Sequence, residues 1–326
     1  MTGQTSSPSG MECRVFGLLK KTSLAKGRVG LAVGPDQMAI AVMRREGGAA
    51  VLERCEVLPL DPAAGTDAAA VIRTLGLPRM PVSMVLRPNE YQLALVEAPE
   101  VPPAELRAAM RWRLKETIDF RVEDAVIDVF DVPGQNRGGH GRMMYAVAAR
   151  RSAIERYTDV LTAVPAFDVI DVPELCLRNL AALLPAAAPG VAVLYLAETS
   201  ATIILVRGST FYFARQMELN AAMQQGGAKA GGARLDSTAS VVLELQRSLD
   251  YYERHFDQPP ITRIAVSPAG PRAAELARQL GSETGFEVNT LDLNELLTCA
   301  TPIEPEAQAA CLLAVGAALR EERRSL

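Results

Sequence analysis

The sequence predicts an α/β fold made of two similar halves with a cleft between them. Three features point there. At roughly 150 residues per domain, a chain of 326 residues holds about two. Three-stranded meanders are predicted at residues 29–58 and again at 191–215. Each meander is followed by helices mixed with further strands, although the halves share pattern and not sequence. Hydrophobic residues make up 49% of the chain and charged residues 22%, so a large core is affordable and disorder is excluded.

In the first half, strands at 29–33 and 38–44 are joined by the turn Gly34-Pro35-Asp36. Gly47 and Gly48 turn the chain into a third strand at 49–58. A short helix follows at 67–75. Strands at 82–86 and 91–96 flank Arg87-Pro88-Asn89-Glu90. The helix predicted at 103–118 begins on Pro103, where a missing N–H costs nothing. Strands at 125–132 and 143–149 enclose a polar, Gly-rich loop at 134–142. Helices at 152–163 and 173–184 end this half.

The second half repeats the opening with strands at 191–197, 199–206 and 210–215, the last two joined by Arg207-Gly208-Ser209. A Gly/Ala-rich loop at 224–234 precedes a long helix at 236–256. Val241, Leu245, Leu249, Tyr252 and Phe256 recur at helical spacing and give that helix one apolar stripe. Pro259 and Pro260 stop it. A strand at 264–266, a helix at 272–280, a short strand at 286–288 and a helix at 307–320 complete the chain.

Composition removes several functions. With 34 basic and 38 acidic residues the net charge is -4, which argues against a general nucleic-acid binder. The only two histidines, His140 and His255, exclude a His-rich metal site. Cys13, Cys55, Cys176, Cys299 and Cys311 are odd in number and form no CxxC pair, so a reducing compartment fits better than a disulfide framework. In the first residues the basic side chains follow the apolar stretch 15–19, the reverse of a secretory signal. Residues 16–26 mix apolar side chains with Lys20, Lys21 and Lys26. They read as a frayed end, or as a contact with a membrane surface or partner. The uncharged run 180–197 matches a membrane span in length, but Pro185, Pro189 and Gly190 break it into a helix end, a turn and a core strand. A cytoplasmic chain without a membrane span is expected. Neither a GxxxxGK[ST] phosphate loop nor a GxSxG elbow is present.

The helix around residue 110 stands out. Leu106, Met110, Leu114 and Ile118 form one stripe, and at 100° per residue Trp112 falls opposite its centre. Arg107, Arg111 and Lys115 form a basic row. Arg111, Trp112 and Arg113 are therefore candidate partner-binding residues. The alternative is that another element of the same chain covers Trp112.

A family resemblance covers residues 14–320. Tyr91-Gln-Leu-Ala-Leu-Val-Glu-Ala-Pro-Glu-Val-Pro102, Glu105-Leu-Arg-Ala-Ala-Met-Arg-Trp112 and Ile118-Asp-Phe120 resemble the MshI family of MSHA-pilus biogenesis proteins. The wider family is PilM-like, of type IV pilus assembly. Phe16-Gly-Leu-Leu-Lys-Lys21, Arg247-Ser-Leu-Asp-Tyr-Tyr-Glu253 and Ala314-Val-Gly-Ala-Ala-Leu-Arg320 are similar too. The resemblance implies an actin-like ATPase fold of two RNase-H-like halves around a nucleotide cleft. A tail at 1–27, a first half at 28–188 with a subdomain inserted at 90–150, and a second half at 189–322 would follow.

Against that family's nucleotide loops, this chain departs three times. The first phosphate loop reads like G-I-D-I-G in the family and Gly30-Leu31-Ala32-Val33-Gly34 here, with Ala39 where a Lys often stands. The second reads Tyr195-Leu196-Ala197-Glu198, with Thr202 following, where the family pattern is D-I-G-A plus a Thr. A Cβ at Ala197 obstructs close approach of backbone to phosphate. The adenosine loop reads Ser267-Pro268-Ala269-Gly270 in place of a Gly-Gly pair, and Pro268 lacks a backbone donor. Both carboxylates expected to hold Mg²⁺ are missing. The resemblance thus implies a scaffold with vestigial nucleotide loops, no catalytic residues and no cofactor. Its expected partner is the cytoplasmic N-terminal segment of a PilN-like inner-membrane protein. It would dock in the groove between the inserted subdomain and the first half, and couple the platform to cytoplasmic assembly motors. The alternative is a PilM-like ATPase that binds ATP with Mg²⁺ and switches its partner contacts. A sugar kinase of the same superfamily would need a catalytic Asp and a substrate lobe, and the sequence supplies neither.

Overall fold

Val29, Leu31, Ile40 and Val42 are almost fully buried, and their alternation along two neighbouring strands builds the first sheet. This is a computed structural model that describes residues 27–61, 63, 67–133, 141–164, 166–197, 199–219 and 231–321. The segment 16–26, His140, Glu198 and most of the loops at 134–142 and 224–234 lie outside the described residues. β1 (Gly27–Val33), β2 (Gln37–Glu46) and β3 (Ala49–Pro59) form an antiparallel meander. Gly47 and Gly48 both take positive φ between β2 and β3, a conformation that favours glycine. Asp67 caps α1 (Ala68–Thr74) by accepting from the Ala70 N–H. β4 (Val82–Val85) then runs parallel to β1.

The inserted subdomain comprises β5 (Tyr91–Glu97), α2 (Leu106–Leu114), β6 (Ala125–Asp131) and β7 (Met143–Arg150), with sheet order β5-β7-β6. Its two ends are clamped together. The Glu90 carbonyl accepts from Arg150 N–H, and the buried Glu90 carboxylate accepts from Arg87, Arg156 and the Tyr157 hydroxyl. α3 (Arg151–Leu161) and β8 (Phe167–Asp171) return the chain to the first sheet, where β8 pairs in parallel with β4.

The second sheet repeats the first. β9 (Val191–Leu196), β10 (Ser200–Arg207) and β11 (Thr210–Glu218) form the meander. After α5 (Gly231–His255), β12 (Arg263–Ser267) pairs in parallel with β9. After α6 (Pro271–Thr284), β13 (Glu287–Thr290) pairs with β12. α7 (Leu293–Leu296) leads to β14 (Thr298–Cys299), which joins the far edge of the first sheet beside β3. The orders are β14-β3-β2-β1-β4-β8 and β11-β10-β9-β12-β13, so with the insert's three strands left out each half places its third, second, first, fourth and fifth strands side by side.

Two helices cross over between the halves. α4 (Pro173–Ala181) follows the first half in sequence but packs on β9, β10 and β11. α8 (Pro305–Ala318) belongs to the second half in sequence but packs on β1 to β4. They meet each other between the sheets. The approach is backbone to backbone: a Cβ on Gly30 would overlap the Ala314 carbonyl, and one on Gly316 the Cys176 carbonyl.

Several expectations are corrected. β8, α7 and β14 were not predicted. The helix predicted at 103–118 is a 3-10 turn at Pro103–Glu105 followed by a helix that ends at Leu114. The chain turns there, and Ile118 reaches the same core because its N–H donates to the Leu114 carbonyl. α5 begins earlier than predicted. α6 runs longer, until Gly285 ends it at φ 71°.

Candidate functional site

The inserted sheet has two faces. α2 covers one, where Met110 and Leu114 pack on Ile127, Val129, Met144 and Ala146. The other face turns toward the first half and leaves a groove of about 560 Å³, counted to its open mouth. Val126 and Phe130 of β6 and Val147 of β7 form one wall. Leu86, Ile154, Val169 and Leu175 form the opposite one. Three charged side chains interrupt this apolar lining: Asp128, Asp171 and Arg320. The Asp171 carboxylate lies 2.6 Å from the Arg320 guanidinium and accepts from the Val172 N–H at 2.9 Å. Arg320 follows α8, so the end of that helix is tied to β8.

In the first turn of α4, Glu174 is buried and accepts from the Tyr91 hydroxyl at 2.6 Å. Burial pushes its carboxyl above the usual range, against the opposing pull of the Tyr91 bond. Next to the groove, Tyr145 stacks on Phe130 with ring centres 5.3 Å apart and meets Phe211 edge-on at 5.1 Å. Its hydroxyl accepts from the Ala214 N–H at 3.0 Å, which fixes the insert to β11 of the second half.

Arg111, Trp112 and Arg113 lie on α2, on the opposite face of the insert from the groove. The structure does not bring them to it. Trp112 is 78% exposed, so no described element covers it, and Lys115 Nζ lies 6.0 Å from its ring centre. Arg111 donates to the Val122 and Ala125 carbonyls at 2.9 and 3.3 Å. Arg113 pairs with Glu97 at 3.4 Å. Both arginines thus hold α2 onto its own subdomain.

The three loops of the nucleotide pattern come to the strand ends between the halves. Ala32, next to last in β1, packs with Val85, Cys176, Leu313 and Ala317. Gly30 lies beneath α8, and Gly34 N–H closes the following turn on the Gln37 carbonyl at 2.8 Å. Tyr195 stands between Thr202 and Ser267 in register. Its hydroxyl is pushed up to about 12, first by burial and then by the neighbouring Cys176. Thr202 is buried within β10. Ala197 N–H closes the β9–β10 turn on the Ser200 carbonyl, while its carbonyl accepts from Arg272 at 3.3 Å. Pro268 and Ala269 lead to Gly270, which takes φ 150° just before α6. Arg272 therefore links two of the loops. Nothing in its sequence context marked it, because its partner is a backbone carbonyl 75 residues away.

Mg²⁺ held on a nucleotide needs oxygen ligands. Position 32 offers a methyl group in an apolar cluster, and position 195 a half-buried phenol beside a thiol. These two residues do not fit that group.

No protein-family profile matches the chain, and no curated protein matches it. Solved structures do. A chain of a PilM–PilN type IV pilus biogenesis complex is 20% identical with a TM-score of 0.67, over 90% of this chain and 98% of that one. A Bacteroides thetaiotaomicron protein with an actin-like ATPase fold and unknown function is 9% identical with a TM-score of 0.49, over 90% and 100%. The cytoplasmic domain of EpsL, an inner-membrane component of the Vibrio cholerae type II secretion system, is 13% identical with a TM-score of 0.43, over 80% and 96%. The chain has the actin-like ATPase fold that its sequence resemblance implied, and the strand order repeated in its two sheets agrees with it.

Proposed function

We propose that this chain is a cytoplasmic adaptor of a type IV pilus assembly platform, of the MSHA type. It binds the cytoplasmic N-terminal segment of a PilN-like inner-membrane protein and couples that platform to cytoplasmic components such as assembly motors. The observation that carries this reading is the apolar groove between the insert and the first half. The likeness to a chain of the PilM–PilN complex over nearly its whole length supports it. No described helix is long and apolar enough to cross a membrane, in keeping with recruitment through a partner. A pull-down with a peptide of the partner's N-terminal segment tests the function. Binding to the parent chain is expected, with loss on Val147→Arg, which places a charge in the wall. Failure of the parent chain to bind any platform segment removes the function.

The nucleotide loops are read as vestigial, on the strength of Ala32 and Tyr195. Millimolar ATP with Mg²⁺ is expected to leave the thermal midpoint unchanged, since a ligand stabilises only by binding the folded state. A rise of several degrees together with phosphate release would instead favour the nucleotide-switched ATPase. In the same pull-down, Trp112→Ala tests the exposed α2 face as a second contact.

A further inference from the structure

We infer that Cys55 and Cys311 form an oxidation site, a dithiol that a peroxide converts into an internal disulfide joining β3 to α8. The site is independent of the adaptor function and shares no residue with the groove. The register of the first sheet brings the two residues together. Gly30 of β1 stands opposite Ala41 of β2, and Ala41 stands opposite Cys55 of β3. Directly opposed residues of antiparallel strands point to the same face. That face is the one beneath α8, because a Cβ on Gly30 would overlap the Ala314 carbonyl. The small side chains of this row let the α8 backbone lie close to the sheet. Cys311 stands about one helical turn before Ala314 and is fully buried in the core that Ala41 shares. Its Sγ lies 3.5 Å from the carbonyl of Glu56, the residue after Cys55. The two thiols hydrogen-bond each other.

The pair is asymmetric, as this chemistry requires. The thiolate is the nucleophile, so the thiol that ionises more readily attacks. Cys311 S–H donates to the Cys55 sulfur, which holds the Cys55 thiol below its ordinary value against the opposing effect of burial. The same contact, and then burial, push Cys311 up. Cys55 is half-buried, on a strand whose outer edge β14 pairs only at Val51 and Leu52. Cys55 is therefore the attacking sulfur and Cys311 the resolving one. The Cys55 thiolate attacks one oxygen of hydrogen peroxide, the O–O bond breaks, and hydroxide leaves and takes up a proton as water. The Cys311 sulfur then displaces hydroxide from the Cys55 sulfenic acid. The S–S bond forms, the S–O bond breaks, and the Cys311 proton leaves with the hydroxide as a second water. The two sulfurs give up two electrons and the peroxide accepts them. A small dithiol reverses the step by exchange. Such a bond suits a reducing compartment, where disulfides are transient. It ties a helix of the second half to the first sheet and locks the crossover of the halves.

The test treats the full chain, carrying Cys13→Ser, with hydrogen peroxide and maps its peptides without reduction. Cys55 and Cys311 are expected in one crosslinked peptide, lighter by two hydrogens than its two free parts. Dithiothreitol should separate them again. The thermal midpoint of the oxidised chain should rise by about 5 °C or more, since the bond closes a loop of most of the chain. Cys55→Ser is expected to abolish the crosslink and Cys299→Ser to leave it intact. Cys311→Ala should leave Cys55 as a sulfenic acid that dimedone captures. If Cys311→Ala does not fold, the peptide map of the parent decides alone. A bond from Cys55 to Cys299 overturns the assignment. So does a peroxide dose that oxidises Cys299 and leaves Cys55 and Cys311 free, or one that carries Cys55 to the sulfinic acid beside a free Cys311.

Discussion

At Ala32 a single methyl group occupies the corner where the actin-like pattern holds a metal-binding carboxylate. Val85, Cys176 and Ala317 are packed around it. A carboxylate there would be partly desolvated among apolar side chains, which is costly. Ala32→Asp is expected to destabilise the fold by roughly 2–4 kcal/mol in urea denaturation. A variant as stable as the parent would mean that this corner is open to solvent. Glu174 gives the second prediction at this scale. Burial raises its folded-state carboxyl above its unfolded value, so the protonated form is the one that favours folding. That contribution is complete below the usual carboxylate value of about 4.3 and is lost as pH rises toward the raised one. Glu174→Gln keeps an acceptor for the Tyr91 hydroxyl and carries no charge. Its stability should be flatter above about pH 4 and higher than the parent's at pH 7. An unchanged pH profile would place the proton elsewhere. The loop substitutions behind the first prediction were legible in sequence, because each is a local departure from a short pattern. Arg272 and the Glu174–Tyr91 bond were not, since their partners come from other parts of the chain.

At the level of elements, β8 shows what periodicity misses. Phe167-Asp168-Val169-Ile170-Asp171 carries two carboxylates in a five-residue strand, a composition that gives no strand signal. It becomes an edge strand beside β4, with Asp171 neutralised by Arg320, 149 residues away. Removing one partner of a buried pair leaves an uncompensated charge. Arg320→Ala is expected to cost about 3 kcal/mol, whereas Arg263→Ala, which breaks the exposed pair with Glu287, should cost below about 1 kcal/mol. Equal losses in thermal denaturation would show that the Asp171 pair is no more buried in solution than the surface one. The long stripes were easier to read. Val241, Leu245, Leu249, Tyr252 and Phe256 are all buried as their spacing predicts. α7 and β14, with four and two residues, are too short for any period and exist only because a sheet edge receives them.

Across the whole molecule, the crossover of α4 and α8 decides how the halves depend on each other. Two similar halves were readable from the repeated meander. Their exchange of helices was not, because a buried helix is apolar all round whichever sheet it covers, as α8 is. The consequence is a shared core. Ala41, Met43 and Leu52 of the first sheet belong to one buried cluster with Leu177 of α4, Ile203 of β10 and Val315 of α8. Residues 27–188 alone would expose the face of β1 and β2 on which α8 lies, and residues 189–326 alone the face of β9 to β11 on which α4 lies. Neither fragment then buries enough apolar surface to offset its ordering entropy. Each is expected to show no cooperative thermal transition when expressed separately. Mixed or co-expressed, the two should regain one, since cutting at residue 189 removes no packed side chain. Cooperative melting of either fragment alone would show that its sheet does not need the helix supplied by the other.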